Sequence, residues 1–86
     1  MKIDYHRKFV KKFNKLPQKI KSKFYERLRL FEQDPFNLML KNHSVGYIYQ
    51  NWRSIDITWD YRALFELQSD NVIMFMKIGT YSELYK

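Results

Sequence analysis

Between Trp52 and Leu67 the chain runs W-R-S-I-D-I-T-W-D-Y-R-A-L-F-E-L, two period-2 stretches on either side of Trp59-Asp60-Tyr61. In the first, Ile55 and Ile57 alternate with Ser54, Asp56 and Thr58; in the second, Ala63, Phe65 and Leu67 alternate with Arg62, Leu64 and Glu66. That is the pattern of two half-buried strands joined as a hairpin. The apolar sets must share one face. A two-residue loop would pair Ile57 with Arg62 and put an arginine on the apolar side, so the parity demands an odd loop. The opposite face then collects Asp56, Thr58, Arg62 and Glu66, with Asp60 at the turn: carboxylates around a cation on a rigid support.

The rest of the chain has to supply a core for that hairpin. With 86 residues it makes a single domain, residues 1–86, near the lower limit for a core without staples. Cysteine is absent, so neither disulfides nor thiolate metal sites help, and stability must come from packing, to which sixteen aromatic residues contribute. No metal or other cofactor is expected. No apolar run approaches the roughly 20 residues of a membrane span, and Met1-Lys2-Ile3-Asp4 does not lead into a signal peptide, so a cytoplasmic protein without membrane contact is expected.

Met1 to Tyr5 alternates as an opening strand. From His6 the period becomes helical, with Phe9, Val10 and Phe13 on one side, and it stops near Leu16-Pro17 because a residue before proline avoids the α region. Pro17 opens a second helix at its first position, and Ile20, Phe24, Leu28 and Phe31 form its apolar stripe up to Asp34-Pro35. Phe36 to Ser44 is a connecting loop, and Val45 to Tyr49 reads as a strand that turns at Gln50-Asn51 into Trp52. Beyond the hairpin, Ser69-Asp70-Asn71 is a turn, and Val72 to Ile78 is a strand apolar on both faces. Gly79-Thr80 breaks it and leaves Tyr81 to Lys86 as a short tail. The expected fold is α+β: an N-terminal strand, then a helical hairpin packed on one face of a mostly antiparallel sheet of about four further strands. The other sheet face, bearing Asp56, Arg62 and Glu66, is expected to be uncovered.

Charge is unevenly placed. Residues 1–43 hold twelve Lys and Arg against four Asp and Glu, and residues 44–86 hold four against five, within a net +7. A basic helical half suits a polyanion, nucleic acid first, and equally a solvated helix surface. Its candidate RNA contacts are Lys8, Lys11, Lys12, Lys15, Lys19 and Lys23, with Arg53 from the sheet.

No phosphate loop, nucleophile elbow or H-E-x-x-H motif is present. What remains is a constellation of His43 in the loop, Asp56, Asp60 and Arg62 on the hairpin, and Tyr81 and Tyr85 in the tail. These types suit RNA phosphodiester cleavage, in which a 2′-hydroxyl loses a proton, a fixed cation stabilises the pentacoordinate phosphorus and the 5′-oxygen gains a proton. Arg62 is the candidate clamp, because guanidinium binds phosphate bidentately. Histidine titrates near neutrality, which qualifies His43 for proton transfer. Asp56 or Asp60 serves as a base or orients the arginine. The same types also fit an ordinary cross-strand ion pair, a solvated loop histidine and a tyrosine packing pair. Trp52 and Trp59 either stack RNA bases or pack at a sheet edge.

The segments K-N-H-S-V-G, W-R-S-I-D-I-T-W-D-Y-R-A-L-F-E-L and I-G-T-Y-S-E-L-Y, with K-L-P and D-P-F-N upstream, resemble the RelE/ParE toxin superfamily, and within it the RelE/StbE, YafQ-like branch. The resemblance implies the toxin of a type II toxin–antitoxin pair, a ribosome-dependent endoribonuclease (mRNA interferase) that cuts mRNA in the A site. It also implies a hetero-oligomer with a cognate antitoxin, the ribosome and mRNA being the other partners. By position His43 matches a loop histidine of YafQ-type toxins, and Arg62 the strand arginine used on the scissile phosphate. Asp56 stands where YafQ-type toxins have a histidine, Asp60 where they have an acid, and Tyr85 at an aromatic position closing the site. Tyr81 departs from the family pattern G-T-H-S-E-L, whose histidine is the proton donor; a phenol with its ordinary pKa of about 10 is a poor base at neutral pH. The alternatives are a ParE-like gyrase poison and a catalytically weak member that mainly binds its antitoxin.

Overall fold

A computed structural model describes residues 1–85. Strand β1 (Lys2–Tyr5) leads into helices α1 (Arg7–Asn14) and α2 (Gln18–Gln33), a 3-10 turn at Leu38–Leu40, strands β2 (His43–Ser44), β3 (Trp52–Asp56), β4 (Tyr61–Ser69) and β5 (Val72–Thr80), and helix α3 (Tyr81–Leu84). The sheet order is β1-β5-β4-β3-β2, with β1 parallel to β5 and every other pair antiparallel. The expected α+β architecture is present. Among the described residues no helix is long and apolar enough to cross a membrane.

The helical hairpin covers one sheet face. His6 caps α1 by accepting from the Lys8 N–H at 3.0 Å, which leaves Phe9 and Phe13 facing the sheet. Pro17 sits one position earlier than expected: its ψ of 147° keeps it outside α2 as the N-cap residue. Phe24 and Phe31 of α2 bury against Ile55, Ile57, Ala63, Phe65, Ile73, Phe75 and Ile78, with Ile20 and Leu28 at the margin. Rings dominate the centre, Phe75 lying 5.4 Å from Phe24 and 5.6 Å from Phe9. Such tilted aromatic pairs bury large areas per residue, which a chain this short needs.

The central hairpin follows the parity argument. Asp56 opposes Arg62 and Ile55 opposes Ala63; the Ile57 N–H donates to the Tyr61 carbonyl at 2.9 Å, which leaves Thr58, Trp59 and Asp60 as an odd loop. Thr58 Oγ1 accepts from the Tyr61 N–H at 3.0 Å, and Arg27 Nε of α2 donates to the Ile57 carbonyl at 3.4 Å. The tip is fixed to its own strands and to the helix beneath it. Leu67 has core parity, yet it is 49% exposed near the far end of β4.

Three expectations are corrected. Val45–Tyr49 is a turn, not a strand: the Val45 carbonyl accepts from both Ile48 and Tyr49 N–H groups, and Asn51 closes the reversal at φ 65°. Residues 45 and 49 fall on one side of a strand and also, four apart, on one side of a helical turn, so their apolar spacing does not separate the two. Gly79-Thr80 does not break β5, since Gly79 pairs with Arg62 and Thr80 with Tyr61. The following tail is helix α3, whose capping box joins Thr80 and Glu83; Lys86 lies outside the described residues. The second sheet face is consequently not bare. Val45, Leu64 and Leu84 form a buried cluster there, flanked by Tyr49, Trp52 and Tyr85.

Candidate functional site

The site is built on that second face by register. Directly opposed residues of neighbouring strands share a face, so His43, Ser54, Leu64 and Lys77 form one row and Asp56, Arg62 and Gly79 the next. Arg62 Nε lies 3.3 Å from Asp56 Oδ1, with the two side chains only 20% and 15% exposed. Gly79 has no side chain to fill the row beyond Arg62, and α3 folds back over that gap. Tyr81 of α3 places its ring 4.9 Å from the Arg62 guanidinium carbon, and its N–H donates to the Asp60 carbonyl at 3.0 Å. The guanidinium is thus held by a carboxylate and by an aromatic face, a geometry suited to a planar cation rather than to an ammonium.

Tyr85 packs against Tyr81 at 4.7 Å between ring centroids, the two rings tilted by 49°. Its hydroxyl and that of Ser54 are both buried, and neither makes a formed hydrogen bond among the described residues. Burial pushes the Tyr85 phenol above its ordinary value; the neighbouring Ser54 hydroxyl and the Arg62 guanidinium pull against this, and Tyr47 and Tyr81 add to it. Tyr85 therefore keeps its proton at neutral pH, as a donor must.

His43 stands one row away at the exposed sheet edge. Its Nδ1 is 2.7 Å from the Lys41 carbonyl; a carbonyl only accepts, so Nδ1 carries a proton in this contact, and in the neutral ring Nε2 is the acceptor. Lys41 presents that carbonyl from a left-handed conformation at φ 49°.

The other sequence candidates lie apart from this group. Asp60 sends its backbone to Tyr81, while the residue lines a cleft with Lys19, Lys23 and Trp59 beside α2. Arg53 shares the core-side parity of Ile55: its Nε donates to Asn42 Oδ1 at 2.7 Å and its guanidinium covers the Phe36 ring at 5.4 Å. Lys8 and Lys12 border a second cleft with Trp52, Lys77 and Glu83, Lys12 being paired with Glu83 at 2.9 Å. Lys11 and Lys15 are exposed on α1. Sequence reasoning missed Ser54, which is polar by pattern yet completely buried, and Glu83, although the T-x-x-E of a capping box was visible.

No protein-family model matches the sequence, and no curated protein matches it. Solved structures do. They share this chain's fold, that of the RelE/ParE-type toxins. Within it the chain is similar to YafQ from E. coli strain BL21(DE3), at 24% identity and TM-score 0.79 over 98% of this chain and 97% of that one. It is likewise similar to a YoeB/ParE toxin from Agrobacterium tumefaciens, at 13% identity and TM-score 0.76 over 94% and 99%. A RelB-RelE antitoxin–toxin complex from Methanococcus jannaschii matches at 20% identity and TM-score 0.74 over 95% and 94%.

Proposed function

We propose that this protein is the toxin of a toxin–antitoxin pair and that it cleaves mRNA on the ribosome in the cytoplasm. The observation that carries the reading is Arg62, fixed by Asp56 and Tyr81 on the sheet face that the helical hairpin leaves open. A clamp of that kind stabilises charge developing on a phosphate without having to reorganise. In the proposed reaction His43 Nε2 takes the proton of the 2′-hydroxyl, and the 2′-oxygen forms its bond to phosphorus. The bond to the 5′-oxygen then breaks, leaving a 2′,3′-cyclic phosphate, and the 5′-oxygen receives a proton from Tyr81, exposed beside Arg62, or from Tyr85 once substrate binding uncovers its buried hydroxyl. No redox partner is needed. The RelB-RelE complex supports an antitoxin as partner, and the basic helices suit rRNA and mRNA phosphates.

The test is expression without antitoxin, with primer extension across translated messages. Wild-type protein should stop growth and cut within codons, and Arg62→Ala should lower cleavage by about 10²–10³-fold. An Arg62→Ala protein as toxic as wild type sinks the assignment. Trapped gyrase–DNA breaks with intact mRNA would identify a ParE-like poison instead. A second reading, a weak nuclease that mainly binds antitoxin, is favoured by Tyr81, whose ring covers the guanidinium where the family pattern has a histidine. Under it Tyr81→His raises toxicity sharply; an unchanged Tyr81→His removes that reading.

A further inference from the structure

Trp59 is 89% exposed at the hairpin tip. A tryptophan left in water is usually an anchor for a partner, since its large apolar face gains most from being covered. The tip around it is rigid: Thr58 Oγ1 accepts from the Asp60 and Tyr61 N–H groups at 3.3 and 3.0 Å, and both Ile57 and Thr58 N–H groups donate to the Tyr61 carbonyl. Beside Trp59 runs a cleft of about 450 Å³, bordered by Lys19 and Lys23 of α2, with Ile20 and Asp60. Lys23 also contacts Glu26 at 3.2 Å. The cleft's own border thus has two cations against one carboxylate, next to an uncovered aromatic face.

We infer that Trp59, Lys19 and Lys23 form a subsite for single-stranded RNA, in which a base stacks on Trp59 and the adjoining phosphates lie against the two lysines. The aromatic face with neighbouring cations is what binding of an unpaired strand requires, and it needs no base-specific hydrogen bonds. The inference rests on the cleavage reading, because the cleft lies on the α2 side of the hairpin tip, around the edge from the clamp on the opposite face. Trp59 is three residues from Arg62, at most roughly 10 Å of extended chain, and the Asp60 carbonyl between them holds Tyr81, whose ring lies over Arg62. In the proposed path, a strand with its scissile phosphate on Arg62 rounds the hairpin tip to reach the cleft on the α2 side.

The test is fluorescence anisotropy with a labelled, short 2′-O-methyl RNA, which lacks the attacking hydroxyl and cannot be cut. Trp59→Ala should weaken binding roughly 5- to 100-fold, the size of one lost base–aromatic stack, and Trp59→Phe should retain most of it. Lys19→Gln with Lys23→Gln should lower the slope of log affinity against log salt by about 1.4. In a Trp52→Phe background, where Trp59 is the single tryptophan, its emission should be quenched by the oligonucleotide. Unchanged affinity of Trp59→Ala, or emission that responds to an acidic polypeptide such as polyglutamate and not to RNA, overturns the proposal. A wild-type protein that stacks the oligonucleotide but leaves translated mRNA intact refutes the cleavage reading and keeps the subsite. One that cuts mRNA equally well with and without Trp59 refutes the subsite alone.

Discussion

Arg62 and Ser54 occupy adjacent rows of the same sheet face, and they illustrate what a pattern of residue types conveys. The parity that placed Arg62 opposite Asp56 is local, since each step along a strand inverts the side-chain direction. Parity put Ser54 on that face as well, but it did not show that Ser54 would lie under Tyr85, because that contact joins β3 to the end of the chain. A buried hydroxyl without a hydrogen bond is costly, whereas replacing two such groups together by apolar ones of the same shape is close to neutral. Ser54→Ala combined with Tyr85→Phe should therefore leave stability unchanged or raise it by up to about 1 kcal/mol in urea unfolding. The same double variant should lose cleavage if the Tyr85 proton goes to the leaving oxygen. A clear loss of stability would show that the two hydroxyls satisfy each other.

Helix α3 is only four residues long, far below the roughly 12–15 residues at which an isolated helix persists. Its attachments hold it in place. Glu83 Oε1 accepts from the Thr80 N–H at 2.8 Å, Oε2 accepts from Lys12 Nζ at 2.9 Å, and Thr80 Oγ1 accepts from the Glu83 N–H at 3.3 Å. Gly79 leaves room for this carboxylate: a Cβ there would stand 2.9 Å from Glu83 Oε1. The Thr80 backbone hydrogen bond, then Lys12, hold the Glu83 carboxyl below its ordinary value of 4.5. For an acid with a depressed folded value, the stabilisation is complete above the unfolded value and is lost as pH falls through the folded one. Acidification below about pH 4.5 should thus weaken the Thr80–Glu83 and Lys12–Glu83 contacts and loosen the start of α3, seen as shifts of the Tyr81 and Tyr85 ring signals in NMR. Thr80→Ala should cost about 1 kcal/mol and speed amide exchange at Tyr85, whose N–H donates to the Tyr81 carbonyl. Unaltered exchange there would mean that Leu84 burial alone secures the element.

At the scale of the molecule, one core carries nearly everything. Phe75 is completely buried and meets Tyr5, Phe9, Phe24, Phe31 and Phe65, so it links β1, both long helices and β4. Phe75→Ala should cost about 3–5 kcal/mol, against a total stability of roughly 5–15 kcal/mol for a domain. Urea unfolding should show a large fall in midpoint or an unfolded protein; a small shift would mean that the ring cluster repacks. The net charge of +7 acts over the same scale and favours an acidic partner, whose binding to the folded state raises the melting temperature by mass action.

By itself the sequence determined the helical hairpin, the odd loop, the core face of the sheet and the side on which Arg62 stands. Each follows from a period of 2.0 or 3.6 that the backbone imposes within a few residues. Only the tertiary structure decided that Val45–Tyr49 turns instead of pairing, that the end of the chain becomes a helix closing over Gly79, that Arg53 serves the loop beside Phe36, and that Trp59 is left uncovered. Those outcomes depend on which distant segments pack against a given face. Val45 and Tyr49 share a side in a turn as in a strand, and it is Leu64 and Leu84, far along the chain, that make the turn the better burial.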